Sequence, residues 1–270
     1  MPFTLAHPAA VLPLRRIRVL RTVPLFVGAM APDVPYFLPW RIAKHIPAVT
    51  HTLLGTLTVD LPMGLLLLLL FWLLRAPLAA PLGFGTEAKC RTALDRFGSR
   101  VSNWMLAPLS ILIGSWTHLA WDSFTHADGW MVSRISALSA PVSFFSYTGE
   151  LCHVLQYASS VFGLAVLAIW FARLPVPAGE SPCGERPAGR LLLLALLLAA
   201  AAAAGGLETM EHIVRASPPR YRIFYLLLTR SVAWFALLYT AAGILIVRGR
   251  RRAAARRSPQ SRRSLARSRG

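Results

Sequence analysis

Long apolar runs, separated by polar stretches, dominate this chain. Five of them approach the roughly 20 residues that an α-helix needs to cross a bilayer, and they cover about 52–75, 104–125, 150–173, 190–207 and 223–247. The pattern predicts an all-α fold, a multi-pass transmembrane helical bundle with about five spans. We expect loops in the stretches between the runs, at 76–103, 127–149, 174–189 and 208–222.

The first 40 residues are also apolar, but prolines interrupt them. Residues 1–22 end in a group of arginines and are expected to form an interfacial, partly helical segment. Residues 23–40 contain Pro24, Pro32 and Pro35, and each interior proline removes a backbone hydrogen bond that a lipid-facing helix needs. We therefore expect a short, broken or re-entrant element that packs against protein.

The composition agrees with a membrane protein. Hydrophobic residues make up 55% of the chain, charged residues 15%, and the mean hydropathy is +0.52. Of the net charge of +18, ten arginines in 248–270 contribute +10, which leaves about +8 for the rest. We interpret 248–270 as a disordered, Arg-rich cytoplasmic tail that fixes orientation, and 1–247 as a single transmembrane domain whose motif-bearing half is 1–160. Nucleic-acid binding is not favoured, because no folded module accompanies the arginines.

A polar stripe ends the second apolar run. His118, Asp122 and His126 recur every four residues, and each step of four turns an α-helix by only about 40°, so the three would share one face. Ionisable groups at membrane depth are costly and need partners. Imidazole and carboxylate ligands suit a divalent metal, zinc first, with manganese or iron as alternatives. A stripe satisfied by neighbouring helices is the simpler alternative.

Further candidates are expected to meet this stripe. Counting spans back from a cytoplasmic C-terminus brings His51, at the start of the first span, and Glu150, at the start of the third, to the outer face with the trio. Asp33 lies in an irregular Gly- and Pro-rich segment of the kind that often carries ligands, and His7 is close enough to the N-terminus to fold back. His7, Asp33 and His51 are therefore predicted metal ligands with the trio, and Asp33 or Glu150 is the predicted general base.

Asp60 is a secondary candidate, nine residues after His51. On a continuous helix the two residues would point to opposite faces. We therefore place Asp60 outside the ligand set unless the helix breaks before Pro62.

The chain resembles a family of bacterial membrane proteins, the domain of unknown function 4184. The similar segments cover roughly the first half, at 2–8, 28–37, 51–55, 60–62 and 114–126. This resemblance implies a bacterial inner-membrane location but no activity. More distantly, the layout is similar to membrane-bound metal-dependent hydrolases and zinc-dependent phospholipase C. That similarity implies a metal and the ligands His7, Asp33, His51, His118 and Asp122.

Our leading hypothesis is a membrane-embedded metal-dependent hydrolase at the outer membrane face, acting on a lipid or lipid-linked phosphoester, with membrane lipids as partners. A transporter or ion-handling protein is the second hypothesis, because Asp60 lies beside Pro62 within a span and broken helices mark transporter sites. The third is a non-catalytic structural or assembly protein, in which the polar stripe only fixes helix register.

Overall fold

The computed structural model describes residues 4–38, 46–144, 147–177, 187–216 and 220–267. It confirms the predicted all-α class, since 82% of the structure is helical. Among the described residues, four helical segments are long and apolar enough to cross a membrane: Leu53–Leu73, Leu151–Arg173, Ala188–Val214 and Arg222–Ala255. The protein is an integral membrane protein.

The helices are numbered in chain order as α1 (Thr22–Met30), α2 (Ile46–Thr50), α3 (Leu53–Leu73), α4 (Arg75–Ala79), α5 (Phe84–Gly98), α6 (Val101–Met105), α7 (Ala107–Thr125), α8 (Leu151–Arg173), α9 (Pro187–Ala216) and α10 (Arg220–Arg267). Short 3-10 helices cover Thr4–Ala9, Pro13–Arg16, Ala31–Phe37 and Ser136–Ser139. An antiparallel hairpin pairs β1 (Pro141–Phe144) with β2 (Tyr147–Glu150), and Pro141 lies opposite Glu150.

Two features differ from the predicted pattern. The expected second span, 104–125, forms α6 and α7 but is not among the four apolar segments, so the count of five spans is not confirmed. Ser, Thr, His and Asp side chains make α7 more polar than the other four. The expected loop 127–149 contains the β-hairpin, which no alternation in the sequence had indicated.

The chain divides into two compact units, and the single domain over 1–247 stays a prediction. The first unit contains 1–72 and 93–175, and the second contains 73–92 and 176–270. The first unit therefore includes every residue predicted to bear the site: His7, Asp33, His51, His118, Asp122, His126 and Glu150.

In the first unit, α1 and α7 cross with their backbones in contact. Both helices have glycine at the crossing: a Cβ atom on Gly114 would overlap the Leu25 carbonyl oxygen, and one on Gly28 would overlap the Ile111 carbonyl oxygen. Small residues permit such close approach between membrane helices. The crossing brings the last turn of α1 beside the middle of α7.

The beginning of α3 is irregular. Thr56–Asp60 form a π-helical segment, and Pro62 cannot donate a backbone hydrogen bond to the preceding turn. His51 lies in the turn before α3, and Thr52 caps the helix with its hydroxyl. The continuous regular helix that would have separated His51 from Asp60 is therefore not present.

In the second unit, α9 and α10 pack closely where Gly205 faces the backbone of Ser231. Arg250 of α10 donates a hydrogen bond to Glu87 of α5 at 2.8 Å. Helix α10 continues to Arg267, past the position at which the sequence predicted a disordered tail.

Candidate metal centre

Five polar side chains from separate segments meet in the first unit. His7 comes from the first 3-10 helix, Asp33 from the 3-10 helix after α1, His51 from the turn before α3, and His118 and Asp122 from α7. The ligand atoms of His7, Asp33 and His118 lie within 4.8 Å of one another, as do those of His51, His118 and Asp122. We call these five residues the polar cluster. All except His51 are buried.

The atoms of the polar cluster are close enough for several of them to reach one ion. Nε2 of His118 lies 3.7 Å from Oδ1 of Asp33 and 3.2 Å from Oδ2 of Asp122. Nε2 of His51 lies 3.5 Å and 3.6 Å from the same two oxygens. Ligands at about 2.0–2.1 Å from a tetrahedral ion stand about 3.3 Å apart. These four nitrogen–oxygen distances are therefore close to the separation of two ligands on one ion.

Backbone carbonyls orient the two imidazoles. Nδ1–H of His118 donates to the Ala29 carbonyl at 2.8 Å, and Nδ1–H of His51 donates to the Pro47 carbonyl at 2.9 Å. Each Nε2 then faces the carboxylates, and in the neutral ring it carries the lone pair with which histidines bind a metal. Nε2 of His118 and both Asp122 oxygens have no hydrogen-bond partner. A cation between them would satisfy all three atoms.

His7 adds a fifth donor. Its ring stacks on that of His118 with centroids 3.8 Å apart, and its Nε2 lies 3.6 Å from Oδ1 of Asp122. Neither ring nitrogen has a hydrogen-bond partner. Burial, followed by the neighbouring His118, lowers the pKa of His7 to about 3. The imidazole is therefore neutral at physiological pH and available to bind a metal.

Asp33 remains ionised despite its burial. Burial alone would raise the pKa of Asp33, but the hydrogen bond with His51, followed by the neighbouring His118, outweighs it and holds that pKa below its usual range. Burial would likewise lower the pKa of His51, and contact with Asp33 outweighs it and raises that pKa. With neutral imidazoles, the two carboxylates of the cluster match the charge of one divalent cation. A proton and that cation would compete for Nε2 of His51.

His126 leaves the helix face on which the sequence placed it. Helix α7 ends at Thr125, and His126 has an extended backbone with φ −112° and ψ 140°. Its Nδ1 lies 3.3 Å from the Asp122 carbonyl oxygen and its Nε2 lies 3.2 Å from Nε2 of Gln156. The expectation of one continuous helical stripe is therefore wrong at its last member. The ring borders the cluster, 3.6 Å from Oδ1 of Asp122, and its role as a ligand stays a prediction.

Glu150 lies at the end of β2 and not in the polar cluster. Its Oε2 accepts a hydrogen bond from the Cys152 thiol at 3.4 Å. The possible metal-ligand atoms that lie close to Glu150 are those of Cys152 and His153. The unpredicted hairpin ends at Glu150 and fixes this position. Of the two predicted bases, the structure brings only Asp33 into the cluster.

The comparisons with known proteins place the chain in a family. The profile described as Domain of unknown function (DUF4184) matches residues 1–247. The chain belongs to this family. The DUF4184 match extends well beyond the segments of the first half that carry the resemblance. No curated protein and no solved structure matches the chain, so its similarity to metal-dependent hydrolases stays a hypothesis.

Asp60 is a further acidic group of this DUF4184 chain beside the cluster. It is fully buried, neither carboxylate oxygen has a hydrogen-bond partner, and it interacts electrostatically with His51, His118 and Asp33. A buried carboxylate without a partner is costly, so a positive charge nearby would stabilise it. The π-helical segment is the kind of break before Pro62 that the sequence left open, so the periodicity of a continuous helix does not exclude Asp60.

Asp60→Asn is expected to weaken divalent-ion binding about tenfold without abolishing it, because a carboxylate near the ligands contributes about that much. Titration of the metal-free protein against a chelator would measure the affinity. Asp128→Asn, which changes an exposed aspartate after α7, should bind like wild type. Equal affinity in Asp60→Asn and wild type would contradict an electrostatic role for Asp60.

Thr4 supports Asp33, and sequence reasoning missed it. Its hydroxyl donates to Oδ2 of Asp33 at 2.7 Å, which leaves Oδ1 facing the imidazoles. The sequence feature that could have indicated Thr4 is its spacing of three residues from His7, because residues three apart share one face of a 3-10 helix.

Thr4→Val should lower the free energy of unfolding by about 1 kcal/mol and metal affinity about tenfold. Thr58→Val is a matched control, because the Thr58 hydroxyl is exposed and bonds only within its own helix, to the Leu54 carbonyl at 3.0 Å. Denaturation and chelator competition would measure both effects. Indistinguishable results for the two variants would mean that Thr4 does not orient Asp33.

Proposed function

We propose that this DUF4184 protein is a membrane-embedded, metal-dependent hydrolase. It cleaves a lipid or lipid-linked phosphoester at the outer face of the bacterial inner membrane, with its C-terminus in the cytoplasm. The observation that carries the proposal is the set of four nitrogen–oxygen distances of 3.2–3.7 Å among Asp33, His51, His118 and Asp122. Two imidazoles and two carboxylates suit zinc, and they also suit manganese or iron.

The residues of the cluster divide into distinct roles. A divalent ion supplies a Lewis acid that activates water and polarises a phosphoryl oxygen. Asp33, His51, His118 and Oδ2 of Asp122 would hold the ion. Oδ1 of Asp122 is directed towards His7 and has no hydrogen-bond partner, so it accepts the proton of the attacking water more readily than Asp33, whose Oδ2 is bonded to Thr4. The water oxygen would bond to phosphorus as the bond to the leaving oxygen breaks, and the leaving oxygen would take up the proton that Asp122 had accepted.

The position of the cluster relative to the apolar helices supports a lipid substrate. His51 precedes the membrane-crossing α3 by two residues. A group at the end of a span lies near the level at which lipid headgroups begin. A headgroup phosphoester could therefore reach the cluster while its acyl chains stay in the bilayer.

The purified protein, reconstituted in vesicles of phosphatidylethanolamine and phosphatidylglycerol, tests this proposal. We expect release of the lipid headgroup, with or without its phosphate, its loss on chelation, and its recovery with zinc. His118→Ala should be inactive. The matched control His212→Ala, which changes a histidine of α9, should keep the activity. Turnover that survives chelation, or that persists in His118→Ala, would overturn the metal-dependent mechanism.

A transporter is the second candidate function. The buried, unpaired Asp60 and the π-helical segment within α3 favour it, because interrupted helices carry ion sites in many transporters. Ion flux into proteoliposomes, measured for wild type and Asp60→Asn, would separate the two functions. Flux that depends on Asp60 without lipid turnover would favour transport.

A further inference from the structure

An apolar groove is lined by Trp121, which also contacts His7 of the polar cluster. The groove is open and has a volume of about 490 Å³, within the range of small-molecule sites. Its walls include Ala10, Ala120, Trp121, Phe124, Leu155 and Ser159. The groove thus lies between α7 and α8, beside the segment that follows the first 3-10 helix.

Trp121 connects the groove to the cluster. Its ring lines the groove and also packs edge-on against His7, with centroids 5.9 Å apart. Its indole N–H donates to the Ser159 hydroxyl of α8 at 3.1 Å. This bond holds the ring between the two sites, so a molecule in the groove would lie one indole away from the polar cluster.

The polar residues of the groove are already bonded to the protein. The hydroxyls of Thr117 and Thr125 donate to carbonyls of α7 at 2.7 Å and 3.3 Å, and that of Ser159 donates to the Gln156 carbonyl at 3.3 Å. The groove therefore offers a ligand contact with hydrocarbon and no free hydrogen-bonding group from these three residues. Such a lining suits an alkyl chain and not a polar headgroup.

The helix that forms one wall of the groove indicates which kind of molecule binds there. Leu155 and Ser159 belong to α8, which is a membrane-crossing helix. The groove therefore opens to the hydrocarbon of the bilayer and not to water. We propose that the groove binds one acyl chain of a diacyl phospholipid and that Trp121 positions the headgroup end of this lipid at the polar cluster. The proposal rests on the proposed function for the identity of the lipid as substrate.

A photoactivatable phospholipid tests the groove directly. A phosphatidylethanolamine with a diazirine in its acyl chain, added as a minor component to phosphatidylethanolamine and phosphatidylglycerol vesicles, would be crosslinked to the reconstituted protein and mapped by mass spectrometry. We expect about fivefold more labelling of Phe124 and Leu155 than of Phe162, which is exposed on α8 outside the groove, because a bound chain dwells there longer than bulk lipid.

Filling the groove should remove the excess labelling. Ala120→Trp should reduce labelling in the groove to the level of Phe162, whereas Ala165→Trp, which changes an exposed alanine elsewhere on α8, should leave it unchanged. Leu155→Trp, measured at Phe124, tests the same point from the opposite wall. Equal labelling of groove and Phe162 in wild type, or full labelling in correctly folded Ala120→Trp and Leu155→Trp, would overturn the acyl-chain site.

The metal content of the same samples separates the two proposals. Bound metal without preferential labelling would overturn the groove alone. Preferential labelling without bound metal would overturn the hydrolase and support the lipid site by itself.

Discussion

Asp122→Asn is expected to lower divalent-ion affinity by about 100-fold or more and to remove hydrolysis. Asp122 contacts both sides of the cluster: Oδ2 faces His51 and His118, and Oδ1 faces His7. A four-ligand site binds zinc with roughly 10–16 kcal/mol, so one ligand contributes about 3 kcal/mol, or about 100-fold. The amide keeps the shape of the side chain and removes its charge. Competition with a chelator would measure the affinity.

The control for this variant is Asp128→Asn, six residues further along the chain. Asp128 is exposed after the end of α7, and its loss should change neither affinity nor activity. Wild-type affinity in Asp122→Asn would contradict the placement of an ion at the cluster.

Gly114→Ala is expected to destabilise the protein by about 3 kcal/mol and to weaken the metal site with it. The added methyl group would overlap the Leu25 carbonyl oxygen, and backbone atoms cannot rotate away as a side chain can. Separation of α1 from α7 would also break the 2.8 Å bond from His118 to the Ala29 carbonyl. Thermal unfolding in detergent would measure stability, and chelator competition would measure the site.

Gly206→Ala is the matched control, because it makes the same glycine-to-alanine change in another helix. A Cβ atom at Gly206 of α9 would meet only a Leu227 side-chain atom at 3.9 Å, an ordinary contact. Because alanine favours a helix over glycine by about 1 kcal/mol, this variant should be neutral or more stable. A Gly114→Ala protein as stable as Gly206→Ala would mean that the helices do not cross as closely as the structure has them.

Hydropathy along the sequence predicted most of the helices. It did not predict the polar helix α7 as such or the β-hairpin, and both failures have a physical cause. Four runs of leucine, alanine and valine became the four membrane-crossing helices, because length and apolarity alone define a span. The run 104–125 is helical, but it carries the polar groups of the site and is less apolar. The hairpin at Pro141–Glu150 is held by backbone bonds between short strands, which leave little trace in hydropathy.

The site was predictable by residue type but not in its geometry. His118 and Asp122 share one face as their spacing indicated, whereas His126 does not, because α7 ends at Thr125. The convergence of His7, Asp33 and His51 depends on tertiary contacts between the 3-10 helices and the α1–α7 crossing, and no local pattern encodes these contacts. The position of Asp60 depended on whether the helix breaks before Pro62, and periodicity cannot predict the π-helical segment that is found there.

Elemental analysis of the detergent-purified protein would show whether the polar cluster binds a metal. Wild type, His118→Ala and His212→Ala would be incubated in turn with zinc, manganese and iron, passed over a desalting column, and assayed for bound metal. We expect close to one ion per chain in wild type and His212→Ala, and almost none in His118→Ala. No metal in wild type with any of the three ions, or equal metal in His118→Ala, would contradict a metal site at the polar cluster.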